Sequence, residues 1–330
     1  MKRFIFFSPP LLYSTNSGIQ IRLCFPRLCA WLADHVENCY IHGISTNRCP
    51  TCLTSPEALG NFMEEFIPHP YQKYQEVYQN YRTNPQENKS STQTLKADGI
   101  QLINNALWYI PYLLPSDLIR ADLLHTIYLG LLKHMMIWIQ GFLSDLGRLH
   151  IFDQIWCSLP PYPGFTPPNR AYRLISQRIG KEFRNLARVI LAVFVAALKR
   201  QSDTRRLTQS ERNNSQEAIR CVRYLTDYSL MTLYPNQSET NIHLMTEYLK
   251  DFHNSKHIFL RYQAGKNTKR SILDLSRQLV SEDSEVFSKD FYDELIEENA
   301  DYNFPKMHLV VHYPDQIRRF GSLPQYSTDV

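Results

Sequence analysis

The strongest periodic signal is SDLIRADLLHTIYLGLLKHMMIWIQGFLSDLG, where Leu124, Ile127, Leu131, Met135 and Trp138 recur at helical spacing. The spacing predicts an amphipathic helix that begins soon after Pro115, with Ser116 or Asp117 as its cap. If Ser116 is the cap, Asp117 adds negative charge to the first turn, where the helix dipole favours it. Gly130 and Gly141 interrupt the pattern weakly. A second run, RNLARVILAVFVAALKR, predicts a helix buried on most sides. Between the two, LPPYPGFTPP over 159–168 carries too many prolines for regular helix or central strand and predicts a rigid loop. After a polar break at 201–216, further helices are expected near 217–234, 239–262 and 267–298.

The flanks read differently. Residues 1–20 mix Pro, Ser, Asn and Gly and predict an irregular lead-in. IRLCFPRLCAWLAD, residues 21–34, is an apolar segment that stops at Asp34 and could be a strand or a short helix. Pro26 confines any strand to the part that follows it. The polar, Tyr/Gln/Asn-rich stretch 61–100 predicts a helix followed by a mobile connector. The tail, NFPKMHLVVHYPDQIRRFGSLPQYSTDV, has an apolar HLVVHY core and closes without a turn or cap signal. No internal repeat is visible.

Composition narrows the class. Hydrophobic residues at 43% and charged residues at 21% exclude wholesale disorder. The net charge of +4 permits contact with nucleic acid without requiring it. Seven cysteines, an odd count in a long chain, argue against a secreted disulfide framework and for a reducing compartment in which clustered cysteines hold metal. No membrane contact is expected, because Val189–Leu198, the most apolar run, falls short of the roughly 20 residues that a span needs. The MKRFIFFSPPLLYS start has the basic opening and short apolar run of a signal peptide, but Pro9 and Pro10 break it.

CYIHGISTNRCPTC supplies Cys39, His42, Cys49 and Cys52 at C-x2-H-x6-C-x2-C spacing. Each x2 pair can grip one edge of a tetrahedral zinc ion, and a closed four-ligand site of this kind is structural. Four unrelated buried residues would give the same pattern, since cysteine is among the most buried residue types. Asp122 and His125 are three apart on the predicted helix and share a face, where they could bond each other or flank a metal. A solvated Asp at a helix start beside a core-edge His fits that spacing equally well. Asp34 stands directly after an apolar segment, where carboxylates of two-metal phosphodiester enzymes often sit, or where a loop simply begins. Arg184 with Arg188, the Lys199–Arg206 group and the Lys266–Arg270 group could contact phosphates or be solvated faces. His308 and His312 are four apart, but no cysteine or HExxH pattern accompanies them in sequence, and they are not assigned as ligands.

These segments resemble a known family. ADLLHTIYLGLLKHMM is similar to the D-x-x-H-N/T-x-x-x-G segment of CACTA-type transposases and the related fungal Plavaka elements. LADHVENCYIHGISTNRCPTC resembles the family's segment in which a catalytic Asp precedes a Cys/His cluster. Gln177–Leu186 and the tail resemble it too, so the likeness runs from about residue 20 to the end. It implies an RNase H-like core with a DDE set of acids, a helical insertion between the second and third acids, two Mg2+ ions, and cleavage and joining of element ends. Carried over, Asp34 aligns with the second catalytic acid, Asp122 and His125 with the D-x-x-H motif, and Cys39, His42, Cys49 and Cys52 with the zinc-like cluster.

The departures from the family matter as much. No Asp or Glu precedes Asp34, and the third acid is expected around or beyond the YST segment, near Asp329. Loss of one metal carboxylate cripples two-metal chemistry. The expectation is therefore a nuclear, transposase-derived protein with an incomplete catalytic set, with Mg2+ relevant only to a complete one. Its fold would be mainly α: a helical insertion on a partial RNase H-like α/β core, with a small zinc loop. The expected divisions are 1–60 as the partial core with its cluster, 61–115 as connector, 116–303 as helical domain and 304–330 as the return to the core. Expected partners are transposon-end DNA, a second copy or an intact transposase. A non-catalytic, zinc-stabilised helical module that binds DNA or a protein is the competing expectation.

Overall fold

The computed structural model describes residues 11–15, 18–22, 30–110, 113–120, 122–167, 170–172, 180–199, 206–262 and 302–326. Strand β1 (Leu11–Thr15) pairs antiparallel with β2 (Gly18–Arg22), from Leu11↔Arg22 to Thr15↔Gly18. Over 11–15 and 18–22 the expected irregular lead-in is therefore two paired strands. Among the described residues the remaining β structure is a set of isolated bridges, so the architecture is mainly helical.

Helix α1 (His35–His42) begins where the apolar segment stops, because Asp34 caps it: Oδ1 accepts from Glu37 N–H at 2.8 Å. It ends at Gly43, whose φ of 68° is left-handed and lets its N–H return to the Cys39 and Tyr40 carbonyls. Helices α2 (Tyr71–Thr83) and α3 (Lys89–Ala97) occupy the stretch expected to hold one helix and a mobile connector. Few apolar residues suffice there, because Tyr71, Tyr74 and Leu95 join Ile44 and Ile100 in a small separate core.

The main helix starts later than its periodicity suggests. Pro115–Leu118 forms a short 3-10 turn, and Ile119 is extended in a parallel bridge to Trp31, with Trp31 N–H donating to Leu118 O at 2.8 Å. The periodic residues then enter a π-helix, Leu124–Leu131, continuous with α4 (Leu132–Asp145). Leu118 is buried in the 3-10 turn and Ile119 in the bridge, so a periodic apolar pattern overstates the main helix at its front end.

Behind it come α5 (Leu149–Cys157), α6 (Gly180–Lys199), α7 (Gln209–Met231) and α8 (Glu239–Ser255), the last continued by a 3-10 helix, Lys256–Tyr262. Helix α7 reaches into the expected polar break because Thr208 and Glu211 form a capping box. The expected helix at 267–298 lies outside the described residues. The tail folds as α9 (Pro305–Leu309), a 3-10 turn (Val310–His312) and α10 (Tyr313–Phe320).

Helix α7 packs along α6 and α8, and α9 lies on the π-helix. Trp138 sits edge-on to Tyr302 at 5.4 Å and stacked on Phe259 at 6.1 Å. Each such side chain fully buried stabilises the fold by roughly 1.5–3 kcal/mol. Gly141 lies against Tyr262, where an added Cβ would come within 2.5 Å of the ring. Among the described residues no helix is long and apolar enough to cross a membrane.

Candidate metal centre

Cys49 and Cys52 lie in the turn after α1, and the tail brings His308 and His312 onto them. His308 lies in the last turn of α9 and His312 follows one turn later, so both rings project from one face. The four ligand atoms lie within 4.8 Å of one another, and all four residues are buried. Cys52 Sγ is 3.1 Å from His308 Nε2 and 3.5 Å from His312 Nε2, Cys49 Sγ is 3.4 Å from His312 Nε2, and the two Nε2 atoms are 3.2 Å apart. A zinc tetrahedron with Zn–S near 2.3 Å and Zn–N near 2.0 Å has S···N edges of about 3.5 Å and N···N edges of about 3.3 Å. The donor set and its spacing therefore fit a metal such as zinc.

The electrostatics agree. Hydrogen bonds from Cys49, and then from His308 and His312, hold Cys52 well below the ordinary thiol range against the cost of burial, which favours its thiolate. Burial pushes Cys49 up, and the nearby Cys52 adds to that. Burial holds His312 below its usual value, so it offers a neutral imidazole. Thr51 N–H donates to Cys49 Sγ at 3.3 Å, and the turn is clamped from outside by His69 at Cys49 O (2.8 Å) and by Tyr71 Oη–H donating to Pro50 O (3.1 Å). Leu59, Phe66 and Leu309 close an apolar shell around it, with Phe66 edge-on to His312 at 4.2 Å. Partners of this kind fix ligand orientation.

This cluster differs from the sequence-based ligand set. Cys49 and Cys52 belong to it, but Cys39 and His42 do not. The His42 ring nitrogens face the carbonyl oxygens of Asn38 (2.7 Å) and Pro115 (2.9 Å), and neither is among the four clustered ligand atoms. The Cys39 thiol is pushed up to about 12, first by burial and then by Asp34, and its Sγ lies 3.6 Å from His35 Nε2. The difference has a plain cause: spacing along the chain joins only near neighbours, whereas the histidines gathered with Cys49 and Cys52 are more than 250 positions away. Their i, i+4 spacing was the available signal, and it lacked only the pairing with a distant C-x2-C.

The candidate acids occupy a neighbouring corner. Trp31 and Ile119 form the parallel bridge, and each is followed three positions later by an acid, Asp34 and Asp122. Asp34 is engaged as the cap of α1. Asp122 is buried; its carboxylate accepts from Leu124 N–H at 3.0 Å and bonds His125 Nδ1. Both acids favour the charged form of Lys306, although burial first, and then Lys133, hold that lysine below its ordinary value. Among the described residues the thiolate–imidazole set is the one close group of three or more His, Cys, Asp or Glu, so Asp34 and Asp122 are not gathered with a third acid there.

Comparison with curated proteins and with solved structures gave no match. A family model described as Plavaka transposase does match residues 14–139, the stretch that holds Asp34, Cys49, Cys52, Asp122 and His125, and this supports a Plavaka-type, transposase-derived protein.

Proposed function

We propose that this chain is a transposase-derived DNA-binding protein, related to DDE-type cleavage and strand transfer, whose own residues do not complete the catalytic set. The family match over residues 14–139 carries the reading. Zinc held by Cys49, Cys52, His308 and His312 would be structural, since all four positions are taken by protein. It would tie the transposase-like segment to the helical tail and stabilise the fold by joining two distant parts of the chain. The soft donor set suits zinc and not Mg2+, which prefers oxygen ligands. Asp34, Asp122 and His125 are proposed as remnants of the catalytic region of an RNase H-like core, with Asp34 as the candidate metal acid. A nuclear location and assembly with a second copy or with an intact transposase follow from a role on element DNA.

The test uses zinc-loaded protein with element-end duplex and Mg2+ or Mn2+. Salt-dependent binding without strand cleavage is expected. Cleavage that disappears in Asp34→Asn would overturn the incomplete set, and absence of salt-dependent binding would overturn the DNA role.

A further inference from the structure

Two lysines from distant parts of the chain converge beside the Asp122–His125 pair. Gly130, Lys133 and His134 stand at i, i+3 and i+4 and share one face where the π-helix passes into α4. Helix α9 lies on the π-helix and brings Lys306 to that face. Phe304, two residues earlier, stacks on His134 with ring centroids 4.5 Å apart, which fixes how α9 enters. The Lys306 stem then crosses Gly130 so closely that a Cβ there would stand 2.8 Å from Lys306 Cδ. Any side chain at position 130 would displace the stem.

We propose that Lys306 and Lys133 form a binding site for a backbone phosphate of DNA, beside Asp122 and His125. The proposal rests on the DNA-binding reading above and gives it a location. Lys133 acts on Lys306 as a nearby like charge, and among the described residues neither lysine belongs to an ion pair. Asp34 and Asp122 face Lys306 electrostatically, but their carboxylates are hydrogen-bonded to Glu37 N–H and to Leu124 N–H with His125. Two half-buried ammonium groups on one face repel each other, and an anion between them removes that repulsion. A lysine binds phosphate as a compact point charge, which needs a held stem more than a fixed fork. The glycine at 130 and the Phe304–His134 stack supply that support.

The test is fluorescence anisotropy with a short labelled duplex of arbitrary sequence across a salt series. The proteins are the zinc-loaded wild type, Lys306→Met, Lys133→Met and Lys306→Arg. Each methionine variant is expected to lower the slope of log affinity against log salt by about 0.9, the value for one lost phosphate contact. Lys306→Arg should keep the wild-type slope. Zinc content and the thermal midpoint, measured alongside, confirm folding. Should Lys306→Met fail to fold, Lys133→Met decides alone. A wild type that binds with a clear salt slope, beside methionine variants of unchanged slope, overturns the phosphate site and leaves the DNA reading standing. A wild type without salt-dependent binding overturns both.

Discussion

The metal centre and the acidic corner are both assembled where the transposase-like segment meets the tail, yet they differ in what their polar groups can still do. At the metal centre four soft donors point at one another. In the corner each acid is already committed: Asp34 caps α1, and Asp122 holds Leu124 N–H and His125. Buried donors gathered around one point leave a place for an ion, whereas carboxylates bonded to their own backbone mainly stabilise their own elements. The comparison teaches that types of residue are a weaker guide to a site than the question of whether their bonding capacity is already used.

The sharpest way to break this contrast is to remove one thiol from each candidate set. Cys52→Ser is expected to take zinc content from near one per chain to near zero and to lower the thermal midpoint by about 10 °C or more, because the tie between distant segments is lost. Cys39→Ser should leave zinc content unchanged. Equal loss in both variants, by elemental analysis, would restore a ligand set local to residues 39–52.

The corner should respond less. Asp122→Asn keeps the shape but weakens the bonds to Leu124 N–H and His125, at a cost of roughly 1–3 kcal/mol in urea unfolding. A change as large as that of Cys52→Ser would mean that the corner, too, holds an ion. Asp34→Ala removes a helix cap and should cost about 1 kcal/mol. A loss several times greater would show that Asp34 does more than cap.

Acid sharpens the contrast further, with an effect that grows from small at its onset. Burial lowers the pKa of His312 from 6.5, so the unfolded chain takes up that proton first. Stability from this group is present above the unfolded value and is lost as pH falls through 6.5 toward the lower folded value. Protons also compete with the metal for its ligands. Urea midpoints and zinc retention measured from about pH 8 to about pH 5 should fall together. Flat behaviour across that range would count against a histidine-ligated centre.

Much of the helical body was legible from the chain. The apolar periods at 124–138 and 189–198 mark buried helices, because a period near 3.6 on a long segment has few other solutions. The front of the first helix was not legible, since Leu118 is buried in a 3-10 turn and Ile119 by an extended pairing with Trp31, which apolar spacing cannot distinguish from turns of an α-helix. Helix α3 was hidden for the opposite reason: its polar sequence, KSSTQTLKA, needs only Thr92 and Leu95 to be buried. Asp122 and His125 were legible as a pair because three-residue spacing is local.

What the sequence by itself determined is what depends on neighbours along the chain: helix periods, the end of the apolar segment at Asp34, and the C-x2-C spacing of Cys49 and Cys52. Tertiary structure alone decided which histidines gather beside that cysteine pair and which lysine lies across Gly130. The physical reason is range. Backbone periodicity and capping act over a few residues, whereas a metal ligand set or a charged face needs only nearness in space, which residues more than 250 positions apart acquire when the chain packs.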